Sequence, residues 1–95
     1  MEIEFDPEKR DQTIKRRGLD FAEAERIFNV YALTLEDRRF DYGEDRFVTY
    51  GMLNGELVAC VWTSRAEGRT RRIISLRKAR KNEREIYYLN RPEPR

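Results

Sequence analysis

Between Arg71 and Tyr88 the chain reads RRIISLRKARKNEREIYY, which gathers Arg71, Arg72, Arg77, Lys78, Arg80, Lys81 and Arg84 at one strand-to-helix junction. Guanidinium groups so concentrated suit a polyanion, because each presents a planar fork of N–H donors that matches phosphate oxygens two at a time. The same groups can stabilise negative charge that builds on phosphorus while a phosphodiester is cleaved, so binding and catalysis would draw on the same atoms. Ser75 lies among them and Arg65 ends the preceding strand-like segment. On the helical stretch that follows, Glu83 and Tyr87 are four apart and share a side, with Arg84 and Tyr88 turned around the cylinder. A carboxylate and a phenol beside guanidiniums are candidate acids or bases, and a tyrosine can stack on an unpaired base. The run also reads as a solvated face, in which Lys81 and Glu85 attract while Arg80 and Arg84 repel. The spacing alone leaves both readings open.

Charge is distributed unevenly along the 95 residues. Residues 65–95 hold eleven Lys and Arg against four Asp and Glu, net +7, and residues 1–64 hold nine against fourteen, net −5, which together give the overall +2. A basic end suits a phosphate backbone; an acidic remainder limits indiscriminate binding and offers a surface to a basic partner. Charged residues make up 40% of the chain, but five Phe, five Tyr and one Trp supply the buried area that a disordered chain lacks. One domain over residues 1–95 is expected, with one modest core. The lone Cys60 sits in the apolar run LVACVW and reads as a small buried hydrophobe. With no His and a single Cys, no zinc or His-centred site can be built, and neither a metal nor a cofactor is expected. Asp41, Glu44 and Asp45 in FDYGEDRF have the composition of a magnesium loop, but a polar turn before a strand explains them more simply. No apolar run approaches the length of a membrane span and the acidic start is unlike a signal sequence, so a soluble, cytoplasmic protein is expected.

The elements that would position these groups follow from local pattern. Glu2 to Phe5 alternates as a strand, and Asp6-Pro7 supplies an N-cap and first-turn proline for a helix to about Arg17, stopped by Gly18. The cations of IKRRG complement the negative end of that helix or make a second RNA contact. Asp20 caps a second helix with Glu23 three residues on, and Phe21, Ala24, Ile27 and Phe28 form its apolar stripe. Strands are predicted over Ala32 to Leu35, 46–53, 56–64 and 70–76, with Asn54-Gly55 as a type I′ hairpin turn and a reversal at Gly68. A final helix runs from Ala79 to Asn90, ended by Pro92 and Pro94. The fold class is α+β: an N-terminal strand, two helices, an antiparallel four-strand meander with helices over one face, and a C-terminal helix. Strict alternation in the last strand puts Arg71, Ile73, Ser75 and Arg77 on one face and Arg72, Ile74 and Leu76 on the other.

F5-D-P-x-K9, G18-L-D-F21-x-E-A24 with I27-F28, E44-x-R46-F47 with Gly51, and R72-I-I-S75-x-R77-x-A79 with E83-R84-x-x-Y87 together resemble the BrnT family of type II toxins over about residues 4–88. The resemblance implies a compact RelE-like fold and a metal-independent ribonuclease that blocks translation. It also implies neutralisation by a BrnA-like antitoxin, through which alone the complex would touch DNA, in a heteromeric assembly. Carried over residue by residue, it places Arg72, Ser75, Arg77, Glu83, Arg84 and Tyr87 on the family's C-terminal motif and Arg65 on the basic position that ends the preceding strand. Joined with the other cations of the junction, these make Arg72, Arg77, Glu83 and Lys78 the candidate catalytic groups and Arg65, Arg71, Ser75, Arg80, Arg84 and Tyr87 the candidate RNA contacts. Where many relatives carry a histidine, this chain has Arg17 and Trp62, and where they cap the last helix with Thr or Ser it has Arg80. Proton transfer would then fall to Glu83 with a raised pKa or to Lys78 with a lowered one. The alternative function is a toxin-fold module without catalysis, acting as antitoxin partner and co-repressor.

Overall fold

The computed structural model describes residues 2–92; Pro94 of the expected helix stop lies outside them. In chain order the elements are β1 (Glu2–Phe5), α1 (Pro7–Arg17), a 3-10 turn (Phe21–Glu23), α2 (Glu25–Phe28), β2 (Ala32–Asp37), β3 (Arg46–Leu53), β4 (Glu56–Arg65), a second 3-10 turn (Ala66–Gly68), β5 (Thr70–Lys78) and α3 (Lys81–Asn90). One five-stranded sheet has the order β1-β5-β4-β3-β2. Strands β2 to β5 pair antiparallel in sequence order, as expected, but β1 joins the edge parallel to β5, with Glu2 beside Thr70 and Phe5 beside Ile73. The sheet is therefore mixed and five-stranded rather than a four-strand meander. The connection from β1 to β5 spans most of the chain, which a parallel pair permits because its ends need not be joined by a tight turn.

Local signals explain most element ends. The Asp6 carboxylate accepts a hydrogen bond from the Glu8 amide at 2.9 Å, Pro7 occupies the first turn, and Gly18 closes α1 at φ +69° with its N–H on the Ile14 carbonyl. Asn54 and Gly55 both take positive φ, 51° and 82°, as a type I′ turn requires. The expected second helix is instead a 3-10 turn followed by a single α-turn; Asp20 caps the former through the Ala22 amide at 2.9 Å. Helix α1 buries no residue. It is held by polar contacts: Arg10 forks onto Asp20 at 2.7 and 3.0 Å, and Arg17 donates to the Leu76 carbonyl at 2.9 Å. Arg17 thus occupies the part of the β5 edge that β1 is too short to reach.

Helices cover both faces of the sheet, not one. On the first face Phe21, Ala24 and Ile27 pack with Val58, Cys60, Trp62, Ile73 and Leu76. On the second, Tyr87 of α3 packs with Val48, Tyr50, Leu57 and Ala59, flanked by Tyr31 and Leu33. Because α3 covers only part of that face, the sheet beyond it stays open. Cys60 is fully buried, and burial pushes its thiol up to about 12, far from thiolate chemistry. Among the described residues no helix is long and apolar enough to cross a membrane.

Gly51 marks the closest approach of α2 to the sheet. A Cβ there would lie 2.6 Å from Ile27 Cγ2 and 3.3 Å from the Ile27 carbonyl oxygen. Gly51→Ala is therefore expected to destabilise the fold by about 1–3 kcal/mol through overpacking, read as a lower denaturant midpoint. An unchanged midpoint would show that the α2 turn yields freely.

Candidate RNA-binding cleft

Strand β5 does not alternate strictly. Val61 pairs with Ser75 but Trp62 pairs with Ile73, leaving Ile74 as an extra residue in a β-bulge. The bulge corrects the face assignment made from the sequence. Ile73 and Leu76 both enter the core beneath α2, and Arg71 stays on their side, its guanidinium 3.8 Å from the Phe28 ring centroid and 5.0 Å from that of Trp62. Ser75 and Arg77 emerge together on the other face, where they line a cleft with Val48, Tyr50 and Val61. By alternation before the bulge, Arg72 belongs to that face as well.

The cleft, of about 450 Å³, is bounded by the sheet, the N-terminal end of α3 and the segment after β2. Its centre is an ion pair. Arg77 donates from both terminal nitrogens to Glu83, at 2.7 and 2.9 Å. The Glu83 carboxylate also accepts the Arg80 amide at 2.7 Å and the Tyr50 hydroxyl at 3.0 Å. Glu83 is the third residue of α3, and its carboxylate accepts the backbone N–H of the N-cap residue Arg80, the acid half of a capping box; the other half, acceptance of a first-turn amide by the N-cap side chain, is closed to Arg80, whose guanidinium only donates. These contacts, Arg77 first, hold Glu83 down at about 2 despite burial. The raised pKa that a general base would need is therefore not found: the guanidinium favours the charged carboxylate more strongly than burial disfavours it. Burial and the Glu83 carboxylate push the Tyr50 phenol up, so it remains a donor near neutral pH.

Further guanidiniums line the cleft from the β2–β3 region, and none of them was among the site candidates taken from the sequence. Arg39 is held by Asp37 in a two-point bond, both distances 3.0 Å, and the Tyr42 hydroxyl donates to the same carboxylate at 3.2 Å. Arg46 stacks its guanidinium 4.0 Å from the Tyr42 ring centroid, and its Nε is buried without a hydrogen-bond partner. Tyr50, Arg39 and Arg46 arrive from the β2–β3 region. Arg46 stands in the E44-x-R46-F47 motif and Arg39 in a dense charged turn, the only sequence signals that point to them.

The sequence-derived candidates divide by location. Ser75, Arg77, Arg80 and Glu83 meet in the cleft. Lys78 and Arg84 line a separate shallow hollow with Tyr88, and Lys78 is paired with Glu56 at 3.4 Å. Arg72 and Arg65 pair with Glu4 at 2.7 Å and Glu44 at 3.3 Å. They lie at the far end of the strands, Arg72 about 15 Å along β5 from Arg77 at the usual rise of an extended chain. Arg71 is on the opposite face. Tyr87 is buried against Tyr31, ring centroids 5.1 Å apart, so it cannot present its ring to a base. The acidic turn serves local structure: Asp41 accepts the Gly43 amide at 3.0 Å, and the Asp45 carbonyl accepts the Thr63 hydroxyl at 2.6 Å.

Sheet, helices and cleft define a small α+β protein whose one open sheet face carries guanidinium groups around an ordered carboxylate. Residues 5–83 match the family described as "Ribonuclease toxin, BrnT, of type II toxin-antitoxin system". The chain belongs to this BrnT family, and membership of a type II system implies an antitoxin partner. No individually curated protein matches the chain.

Proposed function

We propose that the protein is an endoribonuclease whose reaction takes place in the cleft at Arg77. The supporting observation is the Arg77–Glu83 fork, which fixes the guanidinium plane on a floor of strands while Arg39, Arg46 and Arg80 line the same space. A ribonucleotide phosphate seated there would be drawn by several fixed positive groups whose attraction grows as the phosphorane forms. In the step proposed, the ribose 2′-oxygen bonds to phosphorus and the bond to the 5′-oxygen breaks. The 2′-proton passes to water and the departing oxygen takes one from solvent, leaving a 2′,3′-cyclic phosphate. Charge is neutralised by guanidinium groups, so metal is not required. Glu83 acts as a positioning residue for Arg77 rather than as the base, and Ser75 and Arg80 contact the substrate. Arg72 and Arg65 extend the same face as contacts for flanking phosphates.

The architecture is read as a variant of the RelE-like arrangement, within one domain. On this reading cleavage blocks translation in the cytoplasm, and a BrnA-like antitoxin in a heteromeric complex neutralises the enzyme and links it to DNA. The full chain, freed of antitoxin and given RNA in the presence of a chelator, is expected to produce fragments ending in cyclic phosphate. RNA that survives intact would overturn the enzyme reading. One observation favours a second reading, a binding module without catalysis: the Glu83 carboxylate is held well below a base's range and the chain has no imidazole. On that reading RNA survives, and the toxin instead tightens the antitoxin's hold on its operator.

A further inference from the structure

The polar helix α1 faces the open edge of β5 across a narrow hollow of about 160 Å³. Lys9, Gln12, Thr13 and Arg16 line it from the helix, at the i, i+3, i+4 and i+7 spacing that puts four side chains on one side, and Ile74 and Ser75 line it from the strand. Arg17 joins them, anchored by one guanidinium nitrogen on the Leu76 carbonyl, a neutral partner that leaves its charge uncompensated. No carboxylate lines this hollow, and among the described residues none forms an ion pair with Lys9, Arg16 or Arg17. Arg39 and Arg77 of the cleft, by contrast, are each held by an acid. Helix stability accounts for Arg16 and Arg17, which lie in the last turn, but not for Lys9, the third residue of the helix, where a cation opposes the dipole.

Ile74 and Ser75 also line the cleft around Arg77, so hollow and cleft meet across β5. Ser75 is two residues, about 7 Å, along the strand from Arg77. The edge is free at this crossing because β1 has already ended beside Ile73. Phe21, which lines the hollow, is 1% exposed and offers no ring face, so the space suits a charged backbone rather than a base. We infer that this hollow is a second binding site for the RNA strand: nucleotides flanking the scissile phosphate cross the β5 edge at Ser75, and Lys9, Arg16 and Arg17 hold their phosphates. Gln12 and Thr13 donate to phosphate or ribose oxygens. Such contacts position the backbone and carry no base information, so the site lengthens the footprint without setting sequence. An acidic protein segment would meet the same charges, but continuity with the cleft at Arg77 favours the substrate. The inference rests on the ribonuclease reading and adds to it a preference for longer strands.

The test is the binding of 2′-O-methyl RNA, which lacks the attacking hydroxyl, to the full chain without antitoxin, as a dinucleotide and as a strand about ten nucleotides long. Lys9→Gln combined with Arg16→Gln should weaken the longer strand about tenfold and make affinity fall less steeply with salt, by about 0.7 in the log–log slope for each cation removed, while the dinucleotide binds as before. Lys15→Gln, a charge change on another side of the same helix, should have little effect. All three side chains are exposed, so the unfolding midpoint should hold in every variant. With cleavable RNA the double variant should raise KM for the longer strand and leave kcat little altered. A longer strand bound as tightly by the double variant as by the parent would overturn the inference. So would an equal loss from Lys15→Gln, which marks unlocalised charge, or a loss confined to antitoxin binding, which marks a protein contact. The tenfold loss in a chain that cuts no RNA would keep the groove and remove the ribonuclease. Cleavage with no preference for the longer strand would do the reverse.

Discussion

Replacing Glu83 with Ala is expected to lower the unfolding free energy by about 3–5 kcal/mol. The side chain is only 9% exposed and satisfies three groups at once: the Arg77 fork, the Arg80 amide and the Tyr50 hydroxyl. Its loss leaves a guanidinium that is 23% exposed without its counter-charge, and a phenol and a helix-end amide without an acceptor. For a chain of this size each kcal/mol moves the thermal midpoint by roughly 4–8 °C, so the change should be plain in a melting curve. The pH dependence checks the same contact. Glu83 loses its proton at about 2 in the folded protein against an ordinary 4.5, so the unfolded chain binds the proton more readily. Its contribution, on the order of 2–3 kcal/mol, is complete above about pH 4.5 and is lost as pH falls towards about 2. Glu83→Ala should therefore flatten the acid limb of the stability profile. A variant within about 1 kcal/mol of the parent, with the acid limb unchanged, would show that the carboxylate is not held as described.

Arg77→Lys separates the chemistry from the fold. Lysine keeps a positive charge beside Glu83, so the carboxylate is not stranded and the unfolding midpoint should stay within about 1 kcal/mol of the parent. What is lost is the planar fork that fixes the donor direction. Removal of a fixed donor from a developing oxyanion costs about 10²–10³ in turnover, and RNA cleavage by Arg77→Lys is expected to fall by that factor. Arg77→Ala is the poorer probe because it also leaves Glu83 buried without a cation. Should the lysine variant cut RNA at the parental rate, the reacting phosphate must sit elsewhere, and the far-end pair Arg65 and Arg72 would be the place to look next.

These two residues also show what the sequence made legible. Both were marked by their types and by the motif around them, and Asn54-Gly55, the Asp6-Pro7 start and the Gly18 stop were readable because each depends on neighbours within a few positions. The pairing of β1 with β5 was not, since nothing local records a partner nearly the whole chain away. The bulge at Ile74 was invisible for a related reason: only the register of β4 against β5 reveals that one residue is left over, and until then Arg71 and Arg72 trade faces. The role imagined for Tyr87 failed because the helix side that carries it turns toward Tyr31 and the sheet, a direction fixed by where α3 docks. Glu83 was found for its position but given the wrong pKa direction, because its Arg77 fork and the Arg80 amide become visible only when the chain turns from β5 into α3.

Many of the prominent cations already have an acidic companion within the molecule: Arg77 has Glu83, Arg39 has Asp37, Arg72 has Glu4, Arg65 has Glu44 and Lys78 has Glu56. A nucleic acid strand arriving here would not condense onto bare charge; it would trade places with carboxylates that are covalently part of the host. Fewer small ions are then set free than the number of guanidiniums touched, and attachment is less sensitive to salt than the arginine content suggests. The displaced acids remain beside the strand, favouring its departure once the backbone is cut.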